Sequence, residues 1–226
     1  MFIGHYGISF ATRRAGLRLP LWVWFIAVQW MDIAWSVLVL AGIEKLRIVP
    51  GFTQANALDL YYMPYTHGLP GALVLSLVLG VDVALFAPGK RSATLLLVTA
   101  ASFSHWLLDL LVHVPDLPLY GDSAKVGFGL WRHVILSLPL EWIFLGAGAW
   151  LYARATTFRS SKGRRVYWAF VLVLAALEAY ANFGPAPAAP VPMAITSLTF
   201  YALLAFAAGW VERNATTPIT TVARNH

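Results

Sequence analysis

The sequence predicts an all-α fold, a bundle of six helices that cross a membrane, and three observations lead there. Of its 226 residues 59% are apolar and only 12% charged, and its mean hydropathy is +0.68, far from the balance of a soluble domain. Six apolar stretches, residues 21–43, 69–87, 93–114, 131–151, 166–183 and 191–211, are long enough to cross roughly 30 Å of hydrocarbon. The basic residues also fall in alternate loops, as a multi-pass protein requires.

Arg13, Arg14 and Arg18 precede the first stretch, Lys90 and Arg91 separate the second from the third, and Arg154, Arg159, Lys162, Arg164 and Arg165 separate the fourth from the fifth. Arg213 and Arg224 follow the sixth, while the intervening loops hold only Lys45, Arg47, Lys125 and Arg132. This asymmetry puts both termini in the cytoplasm and makes the net charge of +6 a topology signal rather than a nucleic-acid footprint. The protein is expected to be a single multi-pass domain, residues 1–226, with the lipid bilayer as its first partner.

Residues 1–12 are apolar but too short to cross, and no cleavable signal peptide is expected there. The segment either lies on the membrane surface or re-enters the bundle, carrying His5 with it. The first span holds Asp32 near its centre, and a lone carboxylate at that depth costs roughly 3 kcal/mol. His67 stands at the mouth of the second span, where an interfacial histidine is its plainer reading. Asp82 sits about two turns from Lys90 and Arg91, and snorkelling toward those cations explains it.

The third span carries the most informative run, S-H-W-L-L-D-L-L-V-H-V-P-D, residues 104–116. Its polar residues His105, Asp109 and His113 recur every fourth position, so each advances about 40° and all three share one helix face. His105 and Asp109, about 6 Å apart in rise, can chelate one ion, whereas His113 is about 12 Å from His105 along the axis and is expected in a second site or none. Pro115 ends the helix. The fourth span places His133 near its outer end and Glu141 near its middle. The fifth, the shortest apart from its Glu178, and the sixth are expected to be structural.

Asp32, Asp82, Asp109 and Glu141 therefore sit in the first four spans with His105 and without an intramembrane Lys or Arg. Such carboxylates must be protonated, wetted or neutralised by a bound cation, and histidine beside carboxylate favours a divalent transition metal, zinc foremost. With no cysteine, thiolate ligands and nucleophiles drop out, and no nucleophile elbow, P-loop or dinucleotide fingerprint is present.

The opening M-F-I-G-H-Y, the region of Asp32, P-Y-T-H-G-L, S-H-W-L-L-D-L-L-V-H-V-P-D-L-P-L-Y and K-V-G-F-G-L-W resemble a family of bacterial membrane-bound proteins named as metal-dependent hydrolases, in places as permeases. The ordered set His5, Asp32, His67, His105 and Asp109 is also similar in residue order to the ligands of zinc-dependent phospholipases C. The resemblance implies hydrolysis of a lipid or phosphoester by metal-activated water in the bacterial cytoplasmic (inner) membrane. On that reading Asp32, His67, His105 and Asp109 hold the metal, Glu141 or Asp116 serves as general base or as a supporting partner, and His5 or His113 completes a second site. Two other readings stand beside it: a proton- or cation-coupled permease using the intramembrane carboxylates, which a homodimer would enlarge, and a non-catalytic bundle cross-linked by these side chains.

Overall fold

In the computed structural model, which describes residues 1–15, 17 and 19–217, the chain is a helical bundle with two small β-hairpins at one end. Arg18 and Arg224, two of the topology markers, lie outside the described residues. Five helices are long and apolar enough to cross a membrane: α4 (Leu69–Phe86), α5 (Arg91–Val112), α6 (Val134–Arg154), α7 (Ser161–Phe183) and α8 (Pro190–Ala215). Their outward positions carry bare apolar side chains such as Leu73, Val74 and Leu77 on α4, a surface suited to lipid. The fifth stretch, expected to be the shortest, forms a 23-residue helix because polar Ser161–Arg165 adds a capped first turn, Ser160 Oγ accepting from Gly163 N–H.

The first expected span is not one rod. It divides at Gln29 into α2 (Leu21–Val28) and α3 (Trp30–Leu40), bent by 56°. Neither Gly nor Pro marks the break. Gln29 Nε2 instead donates to the Phe2 carbonyl at 3.1 Å, tying the bend to the amino-terminal segment.

That segment enters the bundle. Helix α1 (Gly4–Ala11) is buried on nearly every side and packs chiefly against α6. Paired glycines make the approach: a Cβ on Gly148 would strike the Gly7 carbonyl, and one on Gly7 would strike the Phe144 carbonyl. The first turn of a helix leaves backbone donors without intrahelical partners, and here α6 and α7 supply acceptors. Glu141 accepts from Phe2 and Gly4 N–H at 2.8 and 3.1 Å, and Glu178 accepts from Ile3 N–H at 3.3 Å. The fifth span thus holds the amino-terminal segment in place through Glu178, a structural role as expected.

At the other end of the molecule from the Arg13–Glu212 pair, the long connections fold as antiparallel hairpins, β1 (Lys45–Ile48) with β2 (Leu58–Tyr62) and β3 (Leu117–Tyr120) with β4 (Ser123–Val126). The G-F-G run after β4 turns back to cap α5. Phe128 N–H donates to the Leu110 carbonyl and Gly129 N–H to that of His113, at 2.8 and 2.7 Å. Gly127, at φ +156°, leaves room where a Cβ would hit the His113 and Val114 carbonyls.

Candidate metal centre

The elements deliver their polar side chains to one point at the hairpin end of the bundle. His105 and Asp109 come from consecutive turns of α5, Asp32 from the first turn of α3, His67 from the turn before α4 and His113 from the end of α5. Four ligand atoms form a closed ring: Asp32 Oδ1 to His67 Nε2 is 3.4 Å, His67 Nε2 to Asp109 Oδ2 is 3.7 Å, Asp109 Oδ2 to His105 Nε2 is 3.1 Å, and His105 Nε2 to Asp32 Oδ1 is 3.5 Å. Ligands held 2.0–2.1 Å from a tetrahedral zinc ion lie roughly 3.4 Å apart. The four edges match that spacing, and the ligand atoms that all lie within 4.8 Å of one another are those of Asp32, His67 and His105 and those of His5, His105 and Asp109.

The proton inventory points the same way. His105 Nδ1–H donates to the Val28 carbonyl at 2.7 Å, one of the last carbonyls of α2, which a helix leaves without an intrahelical partner. Thr66 gives its hydroxyl hydrogen to Glu44 Oε2 at 2.6 Å and must therefore accept from His67 Nδ1–H at 2.9 Å. His113 Nδ1–H donates to Asp116 Oδ1 at 2.8 Å. Each imidazole thus spends its Nδ1 proton outward and turns Nε2 toward the carboxylates. Buried lone pairs facing carboxylates need a cation between them, a proton or a metal, and His105 Nε2 has no hydrogen-bond partner among the described residues.

His113 reaches the edge of this cluster through Asp109, one turn before it, and joins neither three-ligand group with His105. Its Nε2 lies 3.4 Å from Asp109 Oδ2, the oxygen that also faces His105. His113 leaves the helix at ψ 143° and turns its ring toward Asp109, with Trp131 tilted against it at 4.2 Å between centroids. Burial disfavours a charge on His113, but the carboxylates of Asp116 and Asp109 outweigh it and raise the imidazole to about 9.

The second carboxylate oxygen of Asp109 faces the amino-terminal segment. His5 Nε2 lies 3.2 Å from Asp109 Oδ1, the Met1 amine contacts the same oxygen, and the His5 ring stacks on His105 at 3.8 Å. Two overlapping ligand groups result, Asp32 with His67 and His105, and His5 with His105 and Asp109.

Several expected members take other positions. Glu141 accepts backbone N–H groups of the α1 start, and Asp116 reaches the cluster through His113. Asp82 and His133 are exposed and stand apart. Residues that the sequence left unremarked complete the surroundings: Glu44 and Thr66 behind His67, Trp106 donating to the His67 carbonyl at 2.8 Å, and Tyr201 donating to Asp32 Oδ2 at 2.9 Å. Glu44 sits in a loop of mixed charge beside Lys45 and Arg47, which gave it no signal of its own.

A cavity of about 690 Å³ adjoins the ring on the face made by Asp32, His67, Asp109 and His113, while His105 closes the back. The fold and the site together describe a helical protein whose five apolar helices are compatible with a multi-pass membrane protein, with a buried His/Asp cluster beside a large cavity. Comparison of the chain with protein-family models, with curated proteins and with solved structures gave no match.

Proposed function

We propose that this protein is a membrane-embedded metal-dependent hydrolase acting on a lipid or phosphoester. One observation carries the reading: three ligand atoms, of Asp32, His67 and His105, lie within 4.8 Å of one another beside Asp109 and border a cavity from which water could take an open position. Asp32, His67, His105 and Asp109 would hold a divalent transition metal, zinc foremost, and His113 and His5 would extend the site through the two oxygens of Asp109. Such an ion would supply Lewis acidity and lower the pKa of a water. The chain's own residues orient the ligands: Val28, Thr66 and Asp116 fix the imidazoles, and Tyr201 holds Asp32. In the hydrolysis, water oxygen adds to the carbonyl carbon or phosphorus, the ester bond breaks, and the proton leaves with the alcohol. Asp116, whose Oδ2 is buried without a partner among the described residues, would act on the site through His113, while Glu141 lines the cavity directly.

Placement in the membrane follows the same proposal. The α2–α3 pair counts as one crossing, giving six, with both termini cytoplasmic and the cavity open to the outer side of the bacterial inner membrane.

A permease is the second reading, favoured by the 56° break beside Asp32, because broken helices at mid-depth carry many transport sites. Metal analysis separates the two. Purified wild type should carry stoichiometric transition metal, and His105→Ala and Asp109→Ala should lose it along with turnover of a phospholipid and phosphoester panel. Wild type without metal sinks the hydrolase. Solute or proton flux in liposomes that Asp32→Asn abolishes and chelators leave intact would establish the permease.

A further inference from the structure

The cavity does not stop at the ring. It continues between the hairpin-side halves of α7 and α8, where Leu177 and Ala181 form one wall and Met193, Ser197 and Phe200 the other. On α8 the lining positions recur at intervals of four from Pro192 to Tyr201, one helix face about 13 Å long. Ala181, Thr196 and Phe200 are exposed on helices apolar enough to span, so this fissure faces the bilayer sideways. One end is lined by small and apolar side chains and the other by the His/Asp ring, a polarity gradient that matches a lipid.

Charge narrows the choice. Asp32, Asp109, Glu141 and Glu178 line the cavity, and among the described residues no Lys or Arg does; the basic groups that do, among them the Met1 amine and His113, already face Asp109. An anionic head group seated here would meet an excess of carboxylates whose basic neighbours are already paired.

We infer that the fissure between α7 and α8 seats a membrane lipid whose head group carries no net charge, its acyl chain between the two helices and its polar end against the ring. The inference rests on the hydrolase reading only for what then happens at the ring; the seat itself follows from the cavity.

The test uses the full-length protein in bilayer nanodiscs doped with phosphatidylethanolamine or phosphatidylglycerol bearing the same photoactivatable acyl chain. Crosslinks should concentrate at Leu177, Ala181, Met193, Thr196, Ser197 and Phe200, several-fold more from phosphatidylethanolamine than from phosphatidylglycerol. Thr196→Trp, which fills the fissure, should cut that labelling several-fold while metal content stays at the wild-type level. Labelling that favours the outward-facing Leu172, Ile195 and Leu203, or equal labelling by the two lipids, overturns the inference. Labelling as expected on a protein that binds no metal overturns the hydrolase reading alone. Metal with turnover of a soluble ester, but without fissure labelling, overturns the lipid seat alone.

Discussion

His67 Nδ1 lies 2.9 Å from Thr66 Oγ1, and because that hydroxyl is already committed to Glu44 the imidazole can only donate to it. Glu44 is buried and also accepts from Tyr65 and Thr66 N–H, at 2.8 and 3.0 Å. A carboxylate in the hairpin end thereby fixes which nitrogen of His67 faces the ring. Removing such an outer partner commonly lowers metal affinity about 10- to 100-fold. Thr66→Val should show that loss in chelator competition, and Thr66→Ser should restore affinity. Wild-type affinity in Thr66→Val would mean that the hydroxyl does not orient the ligand.

Glu141 offers a sharper distinction. As acceptor for Phe2 and Gly4 N–H, it should tolerate Glu141→Gln, which keeps a carbonyl oxygen, with metal content and melting temperature near wild type. Glu141→Leu strands two buried donors at about 1–3 kcal/mol each and should lower the melting temperature in detergent. A general base would behave otherwise: Glu141→Gln would abolish turnover while leaving stability intact.

The contact between Gly7 and Gly148 sets the depth of α1. Gly148→Leu forces the two backbones apart, and overpacking of this kind costs roughly 1–3 kcal/mol or more. The variant should melt earlier and expose the amino-terminal segment to protease. Unchanged protease resistance would show that α1 does not depend on that approach for its seat.

His113 ties loading to pH. With its imidazole held up to about 9 by Asp116 and Asp109 against burial, it is protonated below that pH and must lose the proton before it can bind an ion. Apparent affinity should therefore fall as pH drops below about 9, and calorimetry in buffers of different ionisation enthalpy should register the released proton. His113→Ala should release one fewer; an unchanged proton count would remove His113 from the ligand set.

Much of the site was legible because helical periodicity is a local property. His105 and Asp109 sit one turn apart on a long apolar run, and their pairing follows from spacing alone. His113 meets Asp109 one turn on, as that spacing implies, but the turn of its ring at the helix end, beside Trp131, is not a periodic property. The bend at Gln29 was invisible for a related reason: it depends on a hydrogen bond to Phe2, 27 residues away, rather than on a local breaker. Glu44 and Thr66 lie in connections without periodicity, so nothing in their spacing revealed the chain that ends on His67. Glu178 looked incidental until a donor from residue 3 reached it.

The absence of cysteine makes the orientation directly measurable, since any introduced thiol is the only one. Ser123, on the β3–β4 hairpin, and Ser160, at the start of α7, are both exposed and lie at opposite ends of the bundle. Ser160 neighbours Arg159, Lys162, Arg164 and Arg165, the densest basic cluster in the chain, which the proposed topology puts in the cytoplasm. The hairpin end holds the ring and the mouth of the cavity, so its side decides which leaflet feeds the site. In intact cells a membrane-impermeant maleimide should label Ser123→Cys at once and Ser160→Cys only after permeabilisation. The reverse pattern would turn the cavity to the cytoplasm, and any lipid reaching the ring between α7 and α8 would then come from the inner leaflet.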